Sequence, residues 1–178
     1  MRGATMVLGL TAGLAGLLPC NAARAQATAR DAQLIVRTLT FLTEPPQGAA
    51  VIAIPYMPGD AASVAAARQA VAAFAGGVTV GHLTATPQLV ATPDLAKLSG
   101  VVALFMPDRF GGDTRQLAAA ARRLHVPLIS TNLGCVEQGA CTVGFSAGAT
   151  VQIELNHAAC AASGIEFIQA FRMLVKEI

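Results

Sequence analysis

The chain has no tryptophan, a single tyrosine and only 12% charged residues among 178 positions. This shortage of aromatic side chains argues against a stacking platform for sugars or nucleic-acid bases, because such platforms need several exposed rings. The 12 basic and 10 acidic residues form no basic patch or stripe along the sequence. We therefore expect neither nucleic acid nor an anionic membrane surface as a partner.

Signatures of catalysis and metal binding are also missing. The three histidines are scattered, with no His-Glu-x-x-His motif. His157 and Cys160 lie three residues apart, but two ligands do not hold a structural zinc. Residues 144–148 match Gly-x-Ser-x-Gly, yet they fall between two strand-like runs, whereas a nucleophilic Ser146 needs a strand followed by a helix. The sequence therefore predicts a hairpin turn here, and no catalytic residues, no metal and no cofactor.

The first 25 residues have the pattern of a secretory signal peptide. Arg2 supplies the positive start, residues 6–18 are an apolar run, and Ala23-Arg24-Ala25 fits a small-x-small cleavage site. The run is shorter than the roughly 20 residues that a membrane span needs. We predict cleavage after Ala25 and export to the periplasm, with no membrane insertion of the mature chain. The alternatives are a retained N-terminal anchor and a lipoprotein anchored through Cys20.

Residues 26–178 are predicted to form one domain. They number 153, which is enough to bury a substantial core, and they contain no long hydrophilic linker or repeat. Removing the signal peptide takes away two arginines, which leaves ten basic and ten acidic residues and a net charge near zero. This balance gives no electrostatic reason for binding a polyanion.

Strand-like and helix-like segments alternate through the middle of the chain. Residues 49–56, 100–106 and 126–130 are apolar runs typical of strands that are buried on both faces. Asp60 and Asp113 are placed to cap the helices between these runs. The alternation predicts an α/β fold with a mostly parallel central sheet flanked by helices.

The C-terminal third has a different pattern. Residues 140–145 and 151–155 flank Ser146-Ala-Gly-Ala, which predicts an antiparallel hairpin. A final amphipathic helix is predicted next, with apolar residues recurring at three and four positions. We expect that face to pack on the sheet; its residues are Ile165, Ile168, Phe171, Leu174 and Val175.

Two cysteines, Cys135 and Cys141, carry the strongest chemical signal. Six residues of separation suit a loop disulfide better than a Cys-x-x-Cys redox pair, and export allows disulfides to persist. Such a small ring would stabilise the fold by about 2 kcal/mol, so we expect it mainly to shape a loop that presents Glu137 and Gln138 to a partner. Two reduced thiols are the alternative, and Cys160 is expected to be a small buried residue.

The order of elements resembles the YfiR family of periplasmic proteins over most of residues 26–178. Residues 41–46, Phe-Leu-Thr-Glu-Pro-Pro, are similar to that family's Phe-x-x-Trp-Pro stretch, with proline at the tryptophan position. Residues 153–156, Ile-Glu-Leu-Asn, are similar to its Phe-Glu-Ile-Asn signature, and Leu-Ile-Ser at 128–130 also matches. The end departs from the family, since Phe-Arg-Met-Leu at 171–174 stands where a Ser-Ser-x-Leu-Leu-x-Leu-Ala helix is usual.

This resemblance implies a periplasmic regulator that is not an enzyme. Its partner would be the periplasmic sensing domain of a membrane diguanylate cyclase or a similar sensor, which it would bind and hold inactive. The resemblance also leaves a homodimer open. It further implies a role in cyclic-di-GMP signalling.

A local resemblance supports an alternative function. Residues 106–108, 126–130 and 139–140 look like one lobe of the substrate-binding proteins of ABC importers. The alternative is therefore a one-lobed solute-binding protein of a transporter or sensor. A regulator should present exposed apolar surface and no deep cavity, whereas a solute binder should contain a pocket of a few hundred Å³ or more with convergent polar groups.

Overall fold

The computed structural model of the protein describes residues 27–147 and 150–178. These residues form an α/β structure in which helices cover an eight-stranded sheet. The strands are β1 Gly48–Tyr56, β2 Val78–Val80, β3 Leu83–Ala91, β4 Ala103–Met106, β5 Leu128–Ser130, β6 Val143–Ala147, β7 Val151–Leu155 and β8 Lys176–Glu177. The α-helices are α1 Ala29–Leu39, α2 Ala61–Ala73, α3 Thr114–Leu124, α4 Leu133–Glu137, α5 His157–Ser163 and α6 Gln169–Arg172, and a 3₁₀ helix spans Thr92–Lys97.

The sheet has the order β2-β3-β1-β4-β5-β6-β7-β8. Its central pairs are parallel, from β3–β1 through β5–β6, and β7–β8 is parallel as well. The β2–β3 and β6–β7 pairs are antiparallel. The predicted fold class, a mostly parallel sheet flanked by helices with a C-terminal antiparallel hairpin, is therefore confirmed.

Helix starts follow local capping chemistry. Asp60 and Asp113 accept backbone N–H bonds at the start of α2 and α3, as the sequence predicts, and Asn156 does so at the start of α5. The first helix begins at Ala29, because Thr28 and Asp31 form a reciprocal capping box there. These bonds satisfy N–H groups that a helix leaves unpaired in its first turn.

The core consists of two apolar layers, one on each face of the sheet. One layer contains α1 and α2 together with Phe145, Phe167 and Phe171. The other contains α3, the 3₁₀ helix and both cysteines of the predicted disulfide. Among the described ranges, no helix is both long and apolar enough to cross a bilayer. The predicted signal peptide, with Cys20, lies outside the described residues, and so does Gly148 of the hairpin turn.

Strand β3 is longer than its sequence suggests. The pattern predicts one strand over residues 78–83, whereas the chain forms β2, turns at Gly81 and continues as the nine-residue β3. Pro87 argues against a strand here when only the sequence is considered, because proline is uncommon inside sheets. It is tolerated since β2 pairs only with residues 83–85, which leaves β3 with β1 alone as a partner strand at Pro87.

A helix follows the C-terminal hairpin, as predicted, but it is α5 and does not extend over residues 165–175 as the amphipathic spacing predicts. Helix α5 ends at Gly164, whose φ of 65° is the left-handed conformation that terminates helices. The chain then runs extended, forms the four-residue α6 and ends in β8. Of the predicted apolar face, Phe171 is buried, whereas Ile168 and Leu174 are 39% and 77% exposed. A bridge between Leu42 and Phe167 holds this segment against the end of α1, so tertiary contacts replace the helix.

Candidate functional site

The disulfide predicted between Cys135 and Cys141 is present, with Cα atoms 5.3 Å apart. Both cysteines are buried, and the residues between them are not a plain loop. Asn132 caps helix α4, which carries Cys135, and Gly139 with a φ of 74° turns the chain back toward Cys141. We call residues 135–141 the disulfide segment. A disulfide is typical of proteins outside the cytoplasm.

Glu137 and Gln138 are exposed on the disulfide segment, where the sequence places them at its tip. Their expected role in partner binding stays a prediction. Asn156 joins the segment to helix α5. Its Nδ2 donates to the Val136 carbonyl at 2.9 Å, and its Oδ1 accepts from the Ala159 N–H at 2.8 Å. Gly144 allows the Val136 side chain of the segment to pack against β6, because a Cβ at position 144 would lie 2.5 Å from Cγ2 of Val136. The segment is therefore fixed both covalently and by packing.

A buried carboxylate, Glu154, lies in β7 close to this segment. Its side chain is 1% exposed, and its Oε1 accepts hydrogen bonds from Lys176 Nζ at 2.8 Å and Gln152 Nε2 at 2.9 Å. Its Oε2 has no hydrogen-bond partner among the described protein atoms. The hydrogen bond from Lys176 to Glu154 raises the pKa of the Lys176 ammonium, and the nearby charge of Glu137 raises that pKa further. Lys176 thus ties β8 to the buried carboxylate of β7.

A groove of about 270 Å³ runs between α3, α5 and the disulfide segment. Its rim carries Arg122 from α3 and Glu137 and Gln138 from the disulfide segment, all of them exposed. Five alanines are among the residues that line it, and these are Ala118, Ala140, Ala158, Ala159 and Ala162. We call this the alanine groove.

A second cavity of about 320 Å³ lies on the other side of α5. Leu155, Ile165 and Phe167 give it apolar walls, and the remaining lining includes the polar residues His157, Cys160, Glu166 and Arg172. Burial raises the pKa of the Cys160 thiol to about 12, so the expectation of a small buried cysteine is confirmed. Arg172 forms an ion pair with Glu177, and that hydrogen bond lowers the pKa of the Glu177 carboxyl. We call this space the C-terminal cavity.

Large exposed apolar side chains concentrate at the end of the chain. Five such residues occur in the described ranges, and four of them lie within residues 168–178. These four are Ile168, Met173, Leu174 and Ile178, with exposures of 39%, 73%, 77% and 40%. We call residues 168–178 the apolar C-terminal segment. The sequence pattern predicts Ile168 and Leu174 inside the core, so this surface is apparent only from the structure.

The residues considered for catalysis do not come together. Ser146 lies within the β6–β7 pairing, opposite Gln152, and β6 leads into the hairpin rather than into a helix. His157 and Cys160 share the C-terminal cavity, but the described residues contain no group of three or more His, Cys, Asp or Glu side chains that could hold a metal ion.

The comparisons with known proteins show the fold alone. No family model and no curated protein matches the chain. A crystal structure of a conserved domain protein from Vibrio cholerae O1 biovar eltor is similar, with a TM-score of 0.58 and 12% sequence identity. The match covers 84% of this chain and 59% of the Vibrio protein, so this chain spans less than two thirds of that protein's length. At this identity the likeness supports the α/β architecture, and function has to be argued from surfaces and cavities.

Proposed function

We propose that the protein is a periplasmic regulator that binds the sensing domain of a membrane signalling protein, such as a diguanylate cyclase, and restrains it. The observation that carries this proposal is the apolar C-terminal segment. Four of the five large exposed apolar residues within the described ranges fall in this stretch of eleven residues. Concentrated apolar exposure of this kind marks protein–protein contact sites, whereas single exposed apolar residues need no explanation.

The attachment of the segment supports the same proposal. Phe171 is buried in the middle of it, and β8 joins its end to the sheet. The segment therefore holds Met173 and Leu174 in the solvent on a fixed backbone. A preordered apolar surface binds with less loss of conformational entropy than a flexible tail of the same composition. The disulfide segment would add polar contacts beside it, through Glu137 and Gln138.

Binding to a cyclase tests the proposal directly. The purified chain from residue 26 onward would be titrated, by isothermal calorimetry, into the periplasmic domains of the diguanylate cyclases of the same bacterium. We expect one domain to bind, and we expect deletion of the gene to raise cellular cyclic-di-GMP. If no domain binds and the nucleotide level is unchanged in the deletion strain, the proposal is wrong.

Surface variants localise the contact. Met173→Ser and Leu174→Ser should each weaken binding by about tenfold, as expected for central interface residues, with little change in melting temperature. Leu89→Ser is the matched control, because Leu89 is 41% exposed but lies in β3, far along the chain from the segment. Equal weakening by all three variants would show that the effect is not specific to the segment.

The C-terminal cavity favours solute binding as a second candidate function. Its volume of about 320 Å³ is at the lower end of the range for small-molecule sites, about 300–1,000 Å³, and His157, Glu166 and Arg172 supply polar groups around apolar walls. Native mass spectrometry of the protein isolated from its own periplasm distinguishes the two functions. A bound small-molecule mass that is lost in the cavity-filling variant Ala161→Phe supports solute binding, whereas the bare protein mass counts against it.

A further inference from the structure

Strand β3 has an unpaired edge over its second half. Strand β2 pairs only with residues 83–85, so residues 86–91 have β1 on one side and, among the described residues, no strand on the other. Proteins usually protect such an edge with charged side chains, a bulge or a covering element. Here residues 83–91, Leu-Thr-Ala-Thr-Pro-Gln-Leu-Val-Ala, contain no charged side chain. We call residues 86–91 the open edge.

The pairing of β3 with β1 decides which backbone groups of the open edge point outward. In a parallel pair, every second residue of a strand turns both its N–H and its C=O toward the neighbouring strand. The Gly48 N–H donates to the His82 carbonyl at 2.8 Å, so the even-numbered residues of both strands are the ones that bond to each other. The odd-numbered residues of the open edge therefore point their backbone groups away from β1, and these are Pro87, Leu89 and Ala91. Nothing in the described part of the chain bonds to the Leu89 N–H or C=O.

Two positions on the open edge are unsuited to an arbitrary partner strand. Pro87 has no N–H to donate. Ala91 is the N-cap of the 3₁₀ helix, so its C=O accepts the first hydrogen bond of that helix. A strand laid antiparallel along this edge would therefore have a C=O without a donor opposite Pro87 and an N–H without a free acceptor opposite Ala91.

A second copy of the same edge removes both defects. If two open edges pair antiparallel about Leu89, Pro87 of one copy lies opposite Ala91 of the other. The missing N–H of Pro87 then costs nothing, because the Ala91 C=O is already bonded within its own helix. Each Ala91 N–H donates to the Pro87 C=O of the other copy, and the two Leu89 residues exchange N–H···O=C bonds. The edge is thus complementary to itself in this one register.

The side chain at the centre of the open edge supports the same pairing. Leu89 is 41% exposed, and within the described ranges it is the one large exposed apolar residue outside the apolar C-terminal segment. In the register centred on Leu89, this side chain lies directly opposite the Leu89 side chain of the other copy, on the same face of the sheet. Apolar cross-strand pairs of this kind stabilise a sheet, and no like charges face each other.

We propose that two copies of the protein form a twofold-symmetric dimer by pairing their open edges about Leu89, so that one sheet continues through both copies. The contact uses the same surface on each copy, which closes the assembly at two. Strand β8 lies at the opposite edge of the sheet, so each copy keeps its apolar C-terminal segment free. The inference is therefore independent of the proposed function.

Charge variants at the centre of the contact test the pairing. Sedimentation velocity of the purified chain from residue 26 onward, over a series of concentrations, should show a reversible dimer. Leu89→Lys and Leu89→Glu should each raise the Kd of the dimer by about tenfold or more, because like charges then lie opposite each other. An equal mixture of the two variants should recover the dimer, since opposite charges then meet. Ala119→Lys is the matched control, because Ala119 is exposed on α3, and it should change the Kd by less than about twofold.

A proline variant tests the backbone bonds separately. Leu89→Pro removes the outward N–H but leaves the bonds to β1, which Gln88 and Val90 make, whereas Leu89→Ala removes the side chain and keeps the N–H. Leu89→Pro should weaken the dimer several-fold more than Leu89→Ala does, with little change in the melting temperature of either monomer.

Three results would overturn the inference. These are a wild-type protein that stays monomeric at every concentration, a dimer that survives all of the Leu89 variants, and charge variants that do not recover the dimer when mixed. A monomer that binds the cyclase domain, and loses that binding in Leu89→Lys, would show that the edge receives a strand of the partner instead. A wild-type dimer that dissociates in Leu89→Lys but binds no cyclase domain would overturn the proposed function alone.

Discussion

Replacing Phe171 with alanine should destabilise the protein severely. The ring is 3% exposed, and it contacts Phe41 and Phe167 with centroid distances of 5.1 and 4.9 Å. Phe41 lies just beyond α1, so this cluster joins the two ends of the described chain. Removing the ring leaves a cavity beside the two remaining aromatic side chains, Phe41 and Phe167.

The expected size of the effect follows from this packing. Truncation of a buried phenylalanine costs about 3–5 kcal/mol, and the two aromatic contacts place Phe171→Ala in the upper half, at about 4–5 kcal/mol. This is a large part of the 5–15 kcal/mol that is typical of a whole domain. A domain of this length loses roughly 2–4 °C of melting temperature per kcal/mol, so we expect a fall of roughly 8–20 °C.

Urea unfolding and thermal melting of the oxidised protein measure this directly. Met173→Ala is the matched control, because Met173 lies two residues away and is 73% exposed. It should change the free energy of unfolding by less than about 0.5 kcal/mol. Equal melting temperatures for the two variants would refute the packing argument and would mean that the apolar C-terminal segment is not anchored through Phe171.

Four further predictions concern the cysteines and the buried carboxylate. Thiol titration of the denatured, unreduced chain from residue 26 onward should find one free cysteine, Cys160, and a count of three would exclude the disulfide. Cys135→Ser with Cys141→Ser should lower the free energy of unfolding by about 2 kcal/mol and weaken partner binding by a larger factor; unchanged binding would leave the disulfide a purely structural role. The folded state keeps the Cys160 thiol protonated up to a pKa of about 12, whereas an unfolded thiol ionises near pH 8.5. Because the folded state then binds more protons, the free energy of unfolding should fall as the pH rises from about 8.5 toward 12, and it should fall less in Cys160→Ala; identical pH profiles would contradict this. Lys176→Met should lower the melting temperature more than Lys97→Met does, since it leaves the buried Glu154 charge without its cation, and adding Glu154→Gln should recover part of the loss.

Features decided by neighbouring residues could be predicted from the sequence. The caps Asp60 and Asp113 bond to N–H groups two or three residues ahead, so the residues that decide each helix start lie within a few positions of one another in the sequence. The disulfide is similar, because its spacing and the export signal are both visible in the sequence. The uninterrupted apolar run of β1 likewise indicates a strand buried between neighbours.

Features decided by distant contacts could not be predicted. The residues after Gly164 have spacing that also fits a helix, and only the approach of Phe41 and Leu42 selects the extended path. The alanine groove exists because α3 and α5 meet, which no local pattern of alanines reveals. The same holds for the burial of Glu154, which depends on where Lys176 returns to the sheet.

The edges of the sheet bear on how the protein behaves at high concentration. Ile178 uses its backbone N–H and C=O to bond Leu155 and His157, so the backbone groups of Glu177 in β8 face outward. If two copies paired antiparallel through their β8 strands, Glu177 of one copy would lie opposite Glu177 of the other. With the register shifted by one residue, Lys176 would lie opposite Lys176. Like charges directly opposite each other repel, and β2 and β8 are only three and two residues long. Fibril growth and strand exchange through β8 are therefore disfavoured.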